Sequence, residues 1–297
     1  MTPPFLNPLD QIRIISPSGI INPEYIDGAI RVLTGWGFRV TEGKHARTEY
    51  GRFSGTPEQR AADLQQAFDD PDVKAILCSR GGYGIAQIID RLDFTGFVNS
   101  PKWLIGFSDI TILHNAITNC GVASIHGVMS KQLAELPVDS EQVYGLREIL
   151  TGNLPAYTLP AERHNRTGQA TGKLIGGNLS VFMALRGSRF DMTYQDAILF
   201  IEDIGEKPYQ IDRMIQNLHF SGILGQLSGL ILGQFTECDE DPLMMQSIEE
   251  LIFNAVKEYD YPVCFNFPAG HVDYNLPIIT GANVTLTVTD IKTELVF

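Results

Sequence analysis

The first half of the chain alternates between short apolar runs and segments of helical length, and this alternation constrains the fold more than any other feature. QIRIIS, VKAILCS and KWLIGF have the length and composition of buried strands. Repeated strand–helix units of this kind predict a parallel sheet covered by helices on both faces. We therefore expect an α/β domain in the first half of the chain.

Two helices in this half begin with clear capping signals. Asn22 and Pro23 begin a helix predicted to end near Trp36, because proline suits a first helical position whose N–H has no partner. Thr56 and Gln59 have the spacing of a capping box at the start of a second helix. The remaining segments predicted here are the helices YGIAQIIDRL and DITILHNAIT and the strands FRVTE and VASIHG.

A stretch rich in proline, glycine and polar residues interrupts this pattern between Thr151 and Gly172. Since domain boundaries fall in such segments, we predict an N-terminal domain over residues 1–155, a linker over 156–171 and a C-terminal domain over 172–297.

The second half mixes apolar strands with helices. Helices are predicted near Pro208–His219 and Pro242–Tyr259. The runs NVTLTVT and TELVF flank a short turn at Asp290 and alternate as an antiparallel pair would.

The composition argues against several classes of function. The formal charge of -13 and the pI of about 4.8 argue against a general binder of nucleic acid or of anionic membranes, since both need clustered Lys and Arg. No apolar run approaches the roughly 20 residues that span a bilayer, and MTPPFLNPLDQIRII lacks the pattern of a secretory signal. We expect a cytoplasmic protein without a membrane or nucleic-acid partner.

Two turns after consecutive predicted strands have unusual sequences. SRGGYG (Ser79–Gly84) follows VKAILC, and GFSDIT (Gly106–Thr111) follows KWLI. Because ligands of doubly wound sheets bind outside the carboxyl ends of the strands, these turns are candidate parts of a site. Closely spaced glycines let the backbone approach a ligand, either a phosphate or an oxyanion. The match to a dinucleotide fingerprint is poor, since the third glycine is misplaced.

Ser108 has two interpretations. Serine is a good N-cap, which explains the residue but not Gly106 just before it. Alternatively, Ser108 is a nucleophile presented at a sharp strand-to-helix turn, where a small residue relieves crowding and the helix N-terminus stabilises negative charge. The sequence departs from GxSxG, because Asp109 and Ile110 follow the serine.

A serine nucleophile needs a base and an acid that orients it. Of the six histidines, His271 is the strongest candidate because it lies in the Pro/Gly-bounded loop FPAGHVDYNLP, and His126 is a weaker one. The strand AILFIED is followed by three acidic candidates among which the local pattern does not choose, namely Glu202, Asp203 and Glu206. The histidines and four scattered cysteines do not form a zinc-binding pattern, so no metal is expected.

Five short motifs in order resemble those of the LD-carboxypeptidase family of serine peptidases. They span nearly the whole chain and are RGGYG, GFSDIT, LIGGNL (Leu174–Leu179), IEDIGEKPYQIDRM (Ile201–Met214) and PAGH (Pro268–His271). This resemblance implies an N-terminal Rossmann/flavodoxin-like parallel sheet domain and a C-terminal mixed α/β domain with a barrel-like sheet. It also implies a homodimer and an active site between the two domains.

Carried onto this sequence, the family's catalytic triad falls on Ser108, Glu202 and His271. The resemblance implies an oxyanion hole formed by the backbone N–H of Asp109 and that of either Gly81 or Gly82. It thereby selects the nucleophile interpretation of Ser108. Candidates for binding the substrate's carboxylates are Arg80, the amides of Gly176 and Gly177, and Asn178, although Arg80 could equally be a structural ion-pair partner.

The implied reaction is the hydrolysis of the amide between an L-centred diamino acid and the terminal D-Ala of murein tetrapeptides, a small-peptide substrate, without a cofactor. The nearest alternative is a microcin C immunity-type hydrolase of aminoacyl or peptidyl nucleotide analogues. It would need an aromatic side chain that stacks on adenine, and Trp36 and Trp103 both resemble core residues. A non-catalytic binding protein, in which Ser108 only caps a helix, and a general esterase are further alternatives.

Overall fold

The computed structural model describes residues 1–239 and 241–297 and divides the chain into two compact units. The first unit consists of Met1–Leu154 together with Leu276–Gly281. The second consists of Pro155–Asn275 together with Ala282–Phe297. Each unit is a mixed α/β structure with a sheet of its own.

The secondary structure of the described residues follows the chain in this order. The strands are β1 (Gln11–Ile15), β2 (Arg39–Glu42), β3 (Val73–Cys78), β4 (Trp103–Gly106), β5 (Ser124–His126), β6 (Ala156–Pro160), β7 (Gly168–Asn178), β8 (Ile198–Ile204), β9 (Gly229–Thr236), β10 (Val263–Cys264), β11 (Ile278–Thr280), β12 (Asn283–Val288) and β13 (Lys292–Val296). The α-helices are α1 (Pro23–Gly35), α2 (Pro57–Asp69), α3 (Thr95–Asn99), α4 (Thr111–Asn119), α5 (Ser130–Glu135), α6 (Glu141–Thr151), α7 (Leu179–Met183), α8 (Pro208–Phe220) and α9 (Ile248–Val256). None of these helices is both long and apolar enough to cross a membrane.

The sheet of the first unit has the strand order β11-β5-β4-β3-β1-β2. Strands β1 to β5 pair in parallel, as the alternating pattern predicts, and the apolar side chains of β1, β3, β4 and β5 are buried. Strand β11 adds an antiparallel edge to β5. Because β3 and β4 are neighbours, the turns that follow them leave the same edge of the sheet.

The helix starts of the first unit confirm the capping predictions. Thr56 Oγ1 accepts a hydrogen bond from the Gln59 N–H at 3.3 Å, and Gln59 Oε1 accepts one from the Thr56 N–H at 2.9 Å. The Asn22 side chain caps α1, which ends one residue before Trp36.

Two predicted helices differ from the structure. YGIAQIIDRL forms two short 3₁₀ turns, because the Ile85 N–H donates to the buried carboxylate of Asp109 at 3.0 Å and this tertiary bond determines the local backbone. The segment predicted as a helix over Pro242–Tyr259 contains one 3₁₀ turn and then α9, which begins only after the cap residue Ser247.

The sheet of the second unit has the order β10-β9-β8-β7-β12-β13-β6. Strands β7 to β10 pair in parallel, whereas β12, β13 and β6 continue the sheet in antiparallel fashion, which confirms the predicted pairing of NVTLTVT with TELVF. Within residues 1–239 and 241–297 no strand ladder joins β6 to β10, so the sheet is not closed into a barrel. Arg166, between β6 and β7, forms an isolated antiparallel bridge with Val263.

The boundaries of the units differ from the predicted ones at two places. Residues 156–171, predicted as a linker, contain β6 and the first residues of β7, which pair with β13 and β12. Residues 276–281 lie in the predicted C-terminal domain but belong to the first unit, because β11 pairs with β5. Strand β11 has only three residues and its partner β5 lies about 150 residues away in the chain, so no local sequence pattern predicts it.

Candidate active site

Ser108 lies at a strained turn between β4 and α4. Its φ is +68°, in the left-handed region that non-glycine residues seldom adopt. Gly106, two residues earlier, has φ +157°, and a Cβ there would approach Ile110 Cγ1 to 2.9 Å. Neither the 3₁₀ turn that begins at Ser108 nor α4 is capped by a side chain. The half-buried hydroxyl of Ser108 is therefore presented by the backbone without serving as a cap.

The glycine-rich turn after β3 packs directly on this serine. A Cβ on Gly81 would lie 2.7 Å from Ser108 Cβ and 3.0 Å from Ser108 Oγ, so only glycine fits. Gly82 has φ +103°, a conformation that also favours glycine. Both predicted turns thus meet at one place in the first unit.

Three backbone N–H groups belong to the two turns that meet at Ser108. Among the residues that the structure describes, no acceptor pairs with the amide N–H of Gly81, Gly82 or Asp109. Amides of this kind can stabilise a negatively charged oxygen. The arrangement has the components of an oxyanion hole beside a serine.

The Asp109 side chain stabilises the serine turn through two hydrogen bonds. It is buried, and its Oδ2 accepts hydrogen bonds from Ser18 Oγ at 2.6 Å and from the Ile85 N–H at 3.0 Å. Burial raises the pKa of the Asp109 carboxyl above its ordinary value. Asp109 therefore connects the serine turn to the loop after β1 and to the glycine-rich turn.

Arg60 on α2 fixes the glycine-rich turn from the other side. Its guanidinium is fully buried and donates to the carbonyls of Pro17 at 2.8 Å and Gly84 at 2.9 Å. Sequence reasoning missed Arg60 and Ser18. The available signal was an arginine on the apolar face of α2, which is unusual unless its donors are satisfied.

Arg80 is exposed at the start of the glycine-rich turn. Its Nη1 donates to the Ile20 carbonyl at 2.7 Å, and within the described part of the chain it forms no ion pair. Among the described residues, Arg80 therefore does not form the structural ion pair that was the alternative to carboxylate binding.

His271 and Glu202 form a hydrogen-bonded pair in the second unit. Glu202 is fully buried on β8, and its Oε2 accepts from His271 Nδ1 at 2.8 Å. Since a carboxylate only accepts, the proton lies on Nδ1, which leaves Nε2 in the form that can take a proton. Burial lowers the pKa of His271, but the hydrogen bond and charge of Glu202 raise it by more, so the net pKa lies above its ordinary value.

Glycines create the room for this pair. Gly270 has φ +125°, and a Cβ there would lie 2.7 Å from Glu202 Oε2. A Cβ on Gly233 would lie 2.9 Å from Glu202 Cβ. The Gly270 N–H donates to Asn275 Oδ1 at 2.9 Å, which fixes the loop before His271. Asn275 is a buried supporting residue that sequence reasoning also missed.

The other two acidic candidates have different surroundings. Asp203 is buried, and its carboxylate accepts from Asn178 Nδ2 at 2.9 Å and from the Ser180 N–H at 2.8 Å, so it holds the start of α7. Burial raises the pKa of Glu206. Of the three acidic residues, Glu202 is the one that the structure pairs with His271.

The remaining predicted substrate-binding residues are built into the β7–β8 contact. A Cβ on Gly176 would lie 1.9 Å from the Phe200 carbonyl oxygen, and Gly177 pairs with Ile201. Asn178 is buried, and its Oδ1 caps α7 by accepting from the Val181 N–H at 3.2 Å. Through these contacts, Gly176 and Gly177 allow β7 to pack against β8, and Asn178 stabilises the start of α7.

A cavity of about 640 Å³ lies in the second unit beside β9. Its walls include Gly233, Gln234 and three acidic residues, Asp241, Glu249 and Glu250. Its volume is within the range of ligand pockets, and its acidic lining favours cations over anions. No group of three His, Cys, Asp or Glu side chains able to hold a metal occurs among the described residues.

Comparison with known proteins identifies the family. A family model described as the LD-carboxypeptidase N-terminal domain matches residues 12–127, and one described as the LD-carboxypeptidase C-terminal domain matches residues 171–286. The chain belongs to the LD-carboxypeptidase family. The first match includes Ser108 and the glycine-rich turn, and the second includes Glu202 and His271.

Individual relatives agree with this assignment. The chain is 32% identical to a probable murein peptide carboxypeptidase of Bacillus subtilis, over 99% of this chain and 93% of that protein. It is 31% identical to the murein tetrapeptide carboxypeptidase of Pseudomonas aeruginosa, over 89% of each.

Solved structures show the same fold. The crystal structure of muramoyltetrapeptide carboxypeptidase from Oxalobacter formigenes matches with a TM-score of 0.88 and 27% identity, over 96% of this chain and 97% of that one. The microcin C7 self immunity protein MccF matches with a TM-score of 0.87 over 100% and 98% of the two chains, but at 20% identity this likeness concerns the fold alone.

Proposed function

We propose that this protein is a serine LD-carboxypeptidase, which hydrolyses the amide between the L-centre of a diamino acid and the terminal D-Ala of murein tetrapeptides. Membership of the family and the activity for which its relatives are named support this proposal. The observation that carries it is the conformation of Ser108, which has a φ of +68° at a strand-to-helix turn and lies against Gly81 of the glycine-rich turn.

We assign the chemical roles as follows. His271 Nε2 takes the proton from Ser108 Oγ as the oxygen attacks the scissile carbonyl carbon, and Glu202 stabilises the imidazolium that forms. The tetrahedral intermediate then collapses, His271 protonates the departing amine of D-Ala, and an acyl-enzyme remains on Ser108. A water molecule, deprotonated by His271, hydrolyses this ester and regenerates the serine. No step requires a cofactor.

The oxyanion would be stabilised by the amide N–H of Asp109 and by that of Gly81 or Gly82. Removal of one such donor typically costs about 10²–10³ in kcat, so these amides supply a large share of the catalysis. The side chain of Asp109 is engaged by Ser18 and Ile85, so only its main chain is assigned to the reaction.

A carboxypeptidase must also bind the free carboxylate at the end of its substrate. Arg80 is our candidate, because its guanidinium is exposed and unpaired with an acid in the described chain, and it directly precedes the glycine-rich turn. The roles of Gly176, Gly177 and Asn178 in substrate binding stay predictions.

We extend the proposal to the architecture. The strand order 2-1-3-4-5 of the parallel strands supports a flavodoxin-like N-terminal domain that carries the nucleophile. The bridge between Arg166 and Val263 supports a barrel-like, almost closed sheet in the C-terminal domain that carries Glu202 and His271. We further propose, on the family resemblance, a cytoplasmic homodimer, which analytical ultracentrifugation would test by mass.

The alternative of a microcin-type hydrolase would need an aromatic ring that stacks on adenine. The expectation that both tryptophans are core residues is right for Trp103 but wrong for Trp36, which is half-buried at the end of α1. Trp103 is fully buried, and its Nε1 donates to the Pro4 carbonyl at 3.1 Å, so this ring does not offer a face for adenine.

Mass spectrometry of L-Ala-γ-D-Glu-meso-diaminopimelate-D-Ala, incubated with wild type and Ser108→Ala in the presence of EDTA, tests the function. We expect wild type alone to release one D-Ala. An intact peptide with wild type would refute the muropeptide activity, and parallel incubation with an aminoacyl sulfamoyl adenylate would then test the microcin-type alternative. Equal cleavage by both proteins would overturn the role of Ser108.

A further inference from the structure

The carbonyl that precedes the Ser108 turn is held by a buried histidine. His114, on α4, places Nε2 2.8 Å from the carbonyl oxygen of Gly106. The same oxygen accepts a longer bond, 3.3 Å, from the Gly127 N–H. The histidine lies six residues after Ser108 and Gly106 lies two residues before it, so this bond closes the chain segment that contains the serine.

The direction of every hydrogen bond around this ring follows from the acceptors. The Gly106 carbonyl can only accept, so Nε2 carries the proton and Nδ1 must accept. Ser124 Oγ, 2.7 Å from Nδ1, is then the donor, and it can in turn accept from Thr280 Oγ1 at 2.9 Å. A chain of oriented hydrogen bonds therefore runs from Thr280 through Ser124 and His114 to Gly106.

The ring is neutral in this arrangement. His114 is completely buried, and this burial lowers its pKa to about 4. A proton on Nδ1 would also turn the Ser124 contact from an acceptor into a donor and break the orientation described above. Near neutral pH the ring therefore keeps one tautomer and one hydrogen-bonding pattern.

From this geometry we propose that His114 is a positioning residue, which fixes Ser108 through the Gly106 carbonyl. The proposal rests on the proposed function of Ser108 as nucleophile. The peptide that leads from Gly106 toward the strained serine is restrained by two hydrogen bonds to its carbonyl, and the bond from His114 at 2.8 Å is shorter than the bond from Gly127 at 3.3 Å. His114 therefore supplies the closer of the two restraints, and Ser124 keeps the histidine in the tautomer that can donate.

The position of Thr280 extends this network toward the second half of the chain. Thr280 lies on β11 and pairs with Ser124 across the sheet. It follows His271 by nine residues along the chain. Strand β11, which follows His271 in the chain, thus contributes the first hydroxyl of the network that ends at the serine turn.

Two substitutions at His114 distinguish a role in positioning Ser108 from a role in filling the core. His114→Gln keeps an amide N–H near the location of Nε2, whereas His114→Leu fills the volume without a donor. Leu113→Ala is the matched control, because Leu113 is fully buried on the same helix and is not part of the hydrogen-bond network. For each protein, kcat and KM for D-Ala release, the rate at which a fluorophosphonate labels Ser108, and the thermal unfolding midpoint are measured.

We expect His114→Leu to lower kcat about 10²-fold, the cost of a small misplacement of a reacting group, with KM nearly unchanged and labelling slowed in parallel. His114→Gln should recover a large part of both rates, and Ser124→Ala should have an intermediate effect. Leu113→Ala should lower the unfolding midpoint while kcat and labelling stay near wild type.

Three results would overturn the positioning role. They are a folded His114→Leu protein with wild-type kcat and labelling, a Gln variant as impaired as the Leu variant, and a Leu113→Ala control that loses kcat to the same extent. Failure of the proposed function looks different, because wild type would then release no D-Ala. In that case labelling of Ser108 still compares the His114 variants, so the two failures are distinguishable.

Discussion

The candidate catalytic residues of the two units are held in place by different interactions. In the first unit, Ser108 is positioned by backbone strain, by a close glycine contact and by neutral hydrogen bonds such as that from His114. In the second unit, His271 is positioned by the charge of a fully buried carboxylate, Glu202. The serine therefore depends on steric fit, whereas the histidine depends on electrostatics.

The two units should therefore be sensitive to different substitutions. A nucleophile must be oriented, and glycines and buried side chains that determine the geometry of a turn can orient it. A base must have a suitable pKa and tautomer, and a carboxylate at 2.8 Å supplies both. Substitutions that change charge should thus impair the second unit, and substitutions that change volume should impair both units at their glycines.

The largest effect is expected from removing the charge of the acid. Glu202→Gln should lower kcat by about 10⁴-fold, because a neutral amide, which can donate as well as accept, no longer fixes the tautomer of the histidine and no longer stabilises its cationic form. Glu206→Gln, which removes a nearby charge outside the pair, is the matched control and should retain activity. Steady-state release of D-Ala measures both, and a Glu202→Gln enzyme as active as the control would contradict the assignment of the acid.

A smaller but still large effect is expected at Gly270. In Gly270→Ala the new Cβ would lie 2.7 Å from Glu202 Oε2 at φ +125°, so the pair must move. We expect a loss of about 10²-fold in kcat and of roughly 1–3 kcal/mol in the free energy of unfolding.

Gly222→Ala is the control for this substitution, because Gly222 has φ +71° but nothing within 4 Å of the added Cβ. It should lose stability from the backbone conformation alone and keep its kcat. Equal kcat losses in the two variants, measured beside urea unfolding, would show that strain rather than displacement of Glu202 is responsible.

Gly81→Ala tests the steric half of the comparison. The added Cβ would lie 2.7 Å from Ser108 Cβ, so the serine or the glycine-rich turn must shift, and we expect kcat to fall by about 10²-fold. Gly35→Ala adds the same atom to the first unit where nothing lies within 4 Å. The pair is compared by kcat, KM and fluorophosphonate labelling, and normal labelling of Gly81→Ala would argue against the close packing of Gly81 on Ser108.

The smallest effects concern pH. His271 must be neutral to act as a base, and its pKa is raised, so kcat/KM should rise with pH through a midpoint above the ordinary value of about 6.5. The midpoint measured for Glu202→Gln should be lower, because the group that raises the pKa is gone. An unchanged midpoint would assign the titration to another group.

The same pKa predicts a change in stability. Since the folded-state pKa of His271 exceeds its unfolded value, its contribution is fully present below about pH 6.5 and is lost as pH rises through the folded pKa. The difference in unfolding free energy between wild type and His271→Gln should therefore shrink over that interval. A difference that grows with pH would contradict the raised pKa.

Local sequence signals predicted the features that local physics determines. The capping box of Thr56 and Gln59 and the parallel strands of the first unit follow from residues close together in the chain. The turns at SRGGYG and GFSDIT could be located because each follows an apolar run that predicts a strand. They meet in the structure because these strands, β3 and β4, are neighbours. The resemblance to a family, rather than any pattern, distinguished Glu202 from Asp203.

Features that depend on distant partners could not be predicted. Strand β11 exists because it pairs with β5, and β6 exists because it pairs with β13. Arg60 and His114 become supports of the serine turn only when α2 and α4 pack against it. A buried polar residue in a helix marks such a role, but its partner is visible only in three dimensions.

Covalent labelling tests most directly whether Ser108 is a nucleophile activated by His271. We would treat wild type and His271→Gln with a fluorophosphonate, map the modified peptide by mass spectrometry, and compare the labelling rates. We expect one adduct, on Ser108, that forms much faster in wild type than in the variant. An adduct on another serine, or equal labelling rates in the two proteins, would contradict this expectation.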